Sequence, residues 1–252
     1  MQDDTVHTAY ALNTRWDLFA AIVDLDGTMV DTLGDFELAI GRMLDDLGLP
    51  PVDRAFIART VGKGSGHLVE ATLEHVLAAS PSKSVPNSRQ ARRVDFSAAY
   101  ESYQRHYAVV NGSASTVFEG VREGLTALQQ QGIKLACLTN KPRGFALALL
   151  KIKGLDTYFS QVFGGDSFQN KKPHPEPVWK TCDALHAAPH QTLMVGDSVN
   201  DALAARAAGC PVLLVTYGYN HGEPVHGLDA DGFIGSLEQI GCVASAERFK
   251  LP

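Results

Sequence analysis

The chain has 252 residues, of which 45% are hydrophobic, 20% charged and 8% aromatic. That is long for one average domain and short for two, since domains run to ~100–200 residues, and the apolar fraction excludes a disordered chain. The 28 acidic and 22 basic side chains leave a net charge of −6, which excludes a broad nucleic-acid-binding or anionic-membrane surface. Any anionic ligand needs a local cluster of cations.

The N-terminal MQDDTVH is acidic and polar, without the basic region and apolar stretch of a signal peptide. Residues Trp16–Val23 then form a mostly apolar run that ends in Asp24-Leu25-Asp26-Gly27-Thr28. Its valine and isoleucine suit a strand buried on both faces of a parallel sheet. Leu33, Phe36, Ile40, Met43, Leu44 and Leu47 recur at three- and four-residue intervals, one face of an amphipathic helix. A short helix is expected from Asp53, then a VGKGSG turn at 61–66, then a helix from His67 to Ala79. The Ser/Pro-rich segment 80–90 reads as a mobile loop. Phe96, Tyr100, Tyr103 and Tyr107 mark a further helical stripe, read as core packing rather than a base-stacking surface.

Alternation of apolar run, polar loop and helix then resumes. Ile133–Leu138 leads into Thr139–Pro142 and a helix to Ile152, with Gly154 as its stop. Thr192–Val195 leads into Gly196-Asp197-Ser198 and a helix to Ala208, stopped by Gly209; Pro211–Val215 leads into TYGYN. The pattern predicts an α/β fold with a parallel sheet covered by helices on both faces. The core is expected over 1–30 and 111–252, interrupted by a helical insertion over 31–110. Ligands in such folds bind beyond the carboxyl ends of the strands, where every candidate motif falls.

The apolar runs fall short of the ~20 residues that span a bilayer. The four cysteines, Cys137, Cys182, Cys210 and Cys242, show no CxxC spacing and read as small buried hydrophobes in a reducing compartment. A soluble, cytoplasmic protein is expected, with no nucleic-acid or membrane partner.

Two carboxylates at the end of one buried strand, Asp24 and Asp26, are costly without a cation or proton beside them. A second acidic pair, Asp197 and Asp201, stands at another strand end. All-oxygen carboxylate clusters suit Mg²⁺. Thr139 and Asn140 offer phosphate donors, or equally a helix cap or Asx turn. Lys171 and Lys172, before Pro173, offer a counter-charge for an anionic substrate, one of the two being a solvated loop residue. Lys63 stands between glycines, either as a solvated turn residue or as a partner for the carboxylate of a small acid; Arg59 and His67 are weaker candidates for that role.

The ordered set DLDGT at 24–28, TN at 139–140, Lys172 before Pro173 and GDSVND at 196–201 resembles the haloacid dehalogenase superfamily. VDT at 30–32, VGKGSG at 61–66, TNKP at 139–142, NKKPHPEP at 170–177, GDSVNDALAARAAGC at 196–210 and TYGYN at 216–220 are similar to the phosphoglycolate phosphatase family. The resemblance implies a three-layer core with an inserted helical cap. It also implies a magnesium-dependent phosphatase of a small phosphorylated acid, 2-phosphoglycolate first. Asp24 would be the nucleophile, Asp26 the acid and base, and Lys172 the charge partner. Gly27, Thr139 and Asn140 would hold phosphoryl oxygens. The metal would sit on Asp24, Asp26 (through its carbonyl) and Asp197, with Asp201 behind them. Asp26 and the Asp197/Asp201 pair argue against a dehalogenase. The alternatives are a phosphatase of another metabolite such as a sugar phosphate, a phosphomutase, or a non-catalytic phosphate-binding protein.

Overall fold

In the computed structural model, which describes residues 16–79 and 95–242, the chain opens with β1 (Ala20–Val23) and β2 (Val30–Asp31). Four helices follow, α1 (Leu33–Asp46), α2 (Arg54–Thr60), α3 (Ser65–Ala79) and α4 (Phe96–Val110), before β3 (Thr116–Val117). The second stretch runs through α5 (Val121–Gln130), β4 (Lys134–Leu138), α6 (Arg143–Ile152), β5 (Gln161–Phe163) and α7 (Glu176–Leu185). It ends with β6 (Thr192–Gly196), α8 (Val199–Ala208), β7 (Val212–Val215) and β8 (Gly232–Ile234).

Six strands form one parallel sheet in the order β5-β4-β1-β6-β7-β8. Because strand side chains alternate between faces, each apolar run feeds two cores. Ala21, Val23, Leu135, Cys137, Leu193 and Val195 pack with Leu125 and Leu128 of α5 and Leu149 of α6. Ala20, Ile22, Ala136, Leu138 and Met194 pack on the other face with Val178 of α7 and Ala205 of α8. This double burial explains the near-continuous hydrophobicity of β1, whose four residues are all buried. Burying one such large aliphatic side chain contributes ~1.5–3 kcal/mol. In register, Ile22 faces Ala136 on one side and Met194 on the other, so the carboxyl ends of β4, β1 and β6 lie side by side.

Helices α1 to α4 share a separate apolar cluster, built from Leu33, Phe36, Ile40, Met43 and Leu44 of α1 with residues of the other three. Leu47, the last member of the expected α1 stripe, is the C-terminal cap and only half-buried. Asp53 starts α2 by accepting from Phe56 N at 2.6 Å. Helix α3 begins at Ser65, two residues before the expected start. In the aromatic stripe Tyr103 and Tyr107 are buried, but Phe96, at the first turn of α4, is 44% exposed and stacks on Tyr100. Segment 80–90 lies outside the described residues.

Two devices join the helical unit to the sheet. β2 pairs antiparallel with β3, so the outgoing and returning chains meet. The buried Asp35 carboxylate accepts from Gly112 N and Ala114 N, both at 2.7 Å, tying the start of α1 to the turn after α4. Among the described residues no helix is long and apolar enough to cross a membrane. Cys137, Cys182 and Cys210 are free and buried, with the Cys182 and Cys210 sulfurs 3.9 Å apart.

Candidate active site

The sheet order brings the motifs together. Asp24 follows β1 and its N–H donates to Val195 O at 2.9 Å; Thr139 follows β4 and its N–H donates to Phe163 O at 3.1 Å. Asp197 follows β6 directly. Two strand ends thus present an acid, Asp24, and a hydroxyl, Thr139, to one cleft between the sheet and the helical unit, and the third places Asp197 outside the cleft lining but within 4.8 Å of Asp24, carboxylate oxygen to carboxylate oxygen. The cleft is lined on the sheet side by Asp24, Asp26, Thr139, Lys141, Lys172 and Asp201.

Close packing requires glycine at two of these turns. Gly27 has φ +82°, and a β-carbon there would lie 2.3 Å from Asp197 Oδ2. At Gly196 it would lie 2.2 Å from Asp201 Cγ. Asp201 caps α8: its Oδ2 accepts from Ser198 N at 3.2 Å and Ser198 Oγ at 2.8 Å, a reciprocal capping box. Asp197 Oδ2 accepts from Tyr219 N at 2.7 Å.

Two buried lysines face these acids. Lys172 Nζ donates to Leu138 O at 2.8 Å and Asp201 Oδ1 at 2.7 Å, and forms an ion pair with Asp24 Oδ1 at 2.9 Å. That last contact lacks hydrogen-bond angles, so Asp24 Oδ1 is a buried acceptor with no hydrogen-bond donor among the described residues. Lys141 Nζ donates to Asp26 Oδ1 at 2.8 Å. Its ammonium also lies 4.6 Å from the Phe36 ring centroid and 4.8 Å from that of Tyr107, a cation–π arrangement with α1 and α4. Lys171, by contrast, is exposed.

Burial sets the electrostatics. Desolvation, opposed by Lys172 and reinforced by Asp201, pushes the Asp24 carboxyl up to about 7. Desolvation and the neighbouring Asp201 and Asp24 raise Asp197 well above the carboxylate range. Despite its burial, Lys172 is held above the ordinary lysine value by Asp201 and Asp24. If all four carboxylates (Asp24, Asp26, Asp197, Asp201) ionise beside two ammonium groups (Lys141, Lys172), 4 − 2 leaves two negative charges, the excess that favours protons on Asp24 and Asp197 when no cation is bound. One divalent cation balances that excess.

The donor set fits such an ion. Asp24, Asp197 and Asp201 each offer a carboxylate oxygen, all within 4.8 Å of one another, and hard all-oxygen sites are those of small dications. Both Asp201 oxygens already accept hydrogen bonds from Lys172 and the helix cap. The orphaned Asp24 Oδ1 does not. The cluster can hold a metal ion.

Other expected site residues are placed less simply. Thr139 Oγ1 accepts from Lys141 N at 3.2 Å, while Pro142, not Asn140, precedes α6 as its cap. The Asn140 amide donates to Gly62 O at 2.9 Å and Lys172 O at 2.8 Å, so its side-chain N–H groups tie the cleft together. Asn200 Nδ2 also reaches Gly62 O, at 3.3 Å. Lys63 is exposed and does not line the cleft. Two residues to which sequence reasoning gave no role carry weight here. Lys141 had a signal, a cation directly after a strand-end Thr-Asn pair in a chain with surplus acid. Tyr219 had none: its hydroxyl donates to Asp31 Oδ1 at 2.6 Å and accepts from Thr32 N at 2.7 Å, fixing the start of α1.

Among the described residues, no histidine or cysteine lines the cleft, so it holds neither a Ser–His nor a Cys–His pair. Fold and cleft together define a protein of the α/β class with carboxylates and lysines gathered at the carboxyl edge of its parallel sheet. The sequence model of the haloacid dehalogenase-like hydrolase family matches residues 21–215. The chain belongs to that family. It is 42% identical over 229 residues to a phosphoglycolate phosphatase of Cupriavidus necator, covering 91% of this chain and 94% of the relative. It is 37% identical over 220 residues to a phosphoglycolate phosphatase of Escherichia coli O157:H7, covering 83% and 85%. A crystal structure from Haemophilus somnus, described as a predicted phosphoglycolate phosphatase, superposes with a TM-score of 0.81 at 32% identity, covering 89% of this chain and 96% of that one.

Proposed function

We propose that this protein is a magnesium-dependent phosphatase that hydrolyses 2-phosphoglycolate to glycolate and phosphate through an aspartyl-phosphate on Asp24. The observation that carries this reading is the setting of Asp24, at the centre of the sheet with its Oδ1 2.9 Å from Lys172 Nζ and without a hydrogen-bond donor. The relatives named above supply the substrate.

In the first step an Asp24 oxygen attacks phosphorus and the bond from phosphorus to the ester oxygen breaks. Asp26, which enters this step with a proton on the carboxyl oxygen not held by Lys141, gives that proton to the departing alkoxide. In the second step Asp26 takes a proton from water, whose oxygen attacks phosphorus and releases Asp24 and inorganic phosphate. Lys172 keeps a positive charge beside Asp24 throughout, lowering the repulsion between carboxylate and phosphoryl oxygens. Thr139 and the backbone at Gly27 and Asn140 hold those oxygens. Asp24, Asp197 and the Asp26 carbonyl would hold Mg²⁺, which when bound neutralises phosphoryl charge; Asp201 orients Lys172 and the start of α8. The helical unit of residues 31–110 acts as a cap. Its contacts to Asn140 and Asn200 through Gly62 O close the cleft against bulk water.

Phosphate release from a panel of small esters, with and without Mg²⁺, tests the reading. The wild type is expected to turn over 2-phosphoglycolate at least ~10-fold more efficiently than sugar phosphates, and only with the metal. Asp24→Asn should remove activity, a loss of at least ~1,000-fold. Equal rates on all esters would contradict the substrate, and surviving activity in Asp24→Asn would contradict the nucleophile.

A further inference from the structure

Resting on that reading and extending it, we propose that Lys141 receives the carboxylate of the substrate's leaving group and so selects phosphate esters of short hydroxy acids. Two cations line the cleft, Lys172 and Lys141. Lys172 donates to Leu138 O and Asp201 and is ion-paired with Asp24, and it belongs to the phosphoryl end. Lys141 has one hydrogen-bond acceptor among the described residues, Asp26 Oδ1. Its remaining N–H groups lie against the faces of Phe36 and Tyr107. A lysine has three donors, so this buried ammonium has capacity for a second anion.

Among the described residues that line the cleft, Lys172 and Lys141 are the cations, and Lys172 is held at the phosphoryl end by Asp24 and Asp201. On the side away from the sheet, the cleft is closed by Phe36, Leu68, Tyr103, Tyr107 and Phe145. A carboxylate carried into such walls is costly unless it meets a positive charge. Tyr107 adds a neutral donor: its hydroxyl is buried and has no partner among the described residues.

The position also fits the reaction. Asp26 has to touch the ester oxygen to protonate it, and Lys141 touches Asp26. In phosphoglycolate one methylene separates the ester oxygen from the carboxylate, so a group held against Asp26 carries its carboxylate into the reach of Lys141. The Phe36 and Tyr107 rings beyond the ammonium limit how long the acid can be. Lys141 then binds differently in the two states, to Asp26 alone in the empty cleft and to the substrate carboxylate as well when the cleft is filled.

The test compares 2-phosphoglycolate with ethyl phosphate, which replaces the carboxylate by a methyl group. In the wild type the ratio of kcat/KM for the two esters should be at least ~100. Lys141→Met should collapse that ratio by at least ~30-fold, with most of the loss in KM for 2-phosphoglycolate. Equal losses on both esters would overturn the proposal and leave Lys141 as a support for Asp26. If Lys141→Met does not fold, Lys141→Gln and Lys141→Arg decide the matter. The ratio should fall at least ~10-fold in Lys141→Gln, which lacks the charge, and be largely kept in Lys141→Arg, whereas no fall in Lys141→Gln, or an equal fall in both, overturns the assignment. A wild type that favours ethyl phosphate would instead sink the phosphoglycolate reading itself, a result separable from any effect of Lys141.

Discussion

Asp24 shows how burial and charge set the behaviour of one residue. Its carboxyl moves from 3.8 to about 7 because it is desolvated beside Asp201, with only Lys172 to offset both. A carboxyl whose folded value exceeds its unfolded one holds more protons folded than unfolded between the two. Its contribution to stability is therefore present below 3.8 and lost as pH rises through about 7. Asp46, held at about 2 by Ser102 and His106, has the opposite sign and titrates below that window. Chelated protein should thus lose thermal stability from Asp24 as pH rises from 4 to 8. Added Mg²⁺ should raise the melting temperature more at pH 8 than at pH 5, because binding a metal to this cluster displaces protons. Differential scanning calorimetry with and without chelator checks this, and a metal-induced shift larger at pH 5 would contradict it.

At the scale of elements, the joint between sheet and cap rests on short pieces that carry little sequence signal. β2 and β3 are two residues each, too short for a period to show. Asp35 interrupts the apolar face of α1 as a fully buried carboxylate, and only the turn at Gly112 and Ala114, some 80 residues on, explains it. Replacing it with alanine leaves the Gly112 and Ala114 N–H groups without this acceptor, at a cost of about 1–3 kcal/mol. Urea unfolding of Asp35→Ala should show that loss. Asp35→Asn, which keeps one acceptor oxygen, should lose less, and equal stability in the two variants would contradict the account.

For the whole molecule, the four inner strands and the strand-end acids were legible because each depends on local pattern, whereas the edge strands β5 and β8, three residues each, were too short to read. β1, β4 and β6 are apolar runs that end in polar turns, and a parallel sheet collects those ends on one edge. The cap helices α1 and α4 were legible from their stripes. Lys141 was not, because its meaning depends on Asp26, 115 residues away, and on two rings from helices that fold over it. Lys63 is exposed between the cleft residues Gly62 and Gly64; its glycine neighbours describe the turn at 61–66 but not the direction it faces. The net charge of −6 conceals a cleft in which two lysines and a metal-competent cluster of acids concentrate the anion chemistry. The central claim is that phosphate passes through Asp24. Wild-type protein mixed with less than one equivalent of 2-phosphoglycolate labelled in its phosphate, quenched in acid within milliseconds and digested, should yield label on the peptide containing Asp24, released by hydroxylamine. Release of labelled phosphate with no labelled peptide at any time, or label on a peptide lacking Asp24, would contradict it.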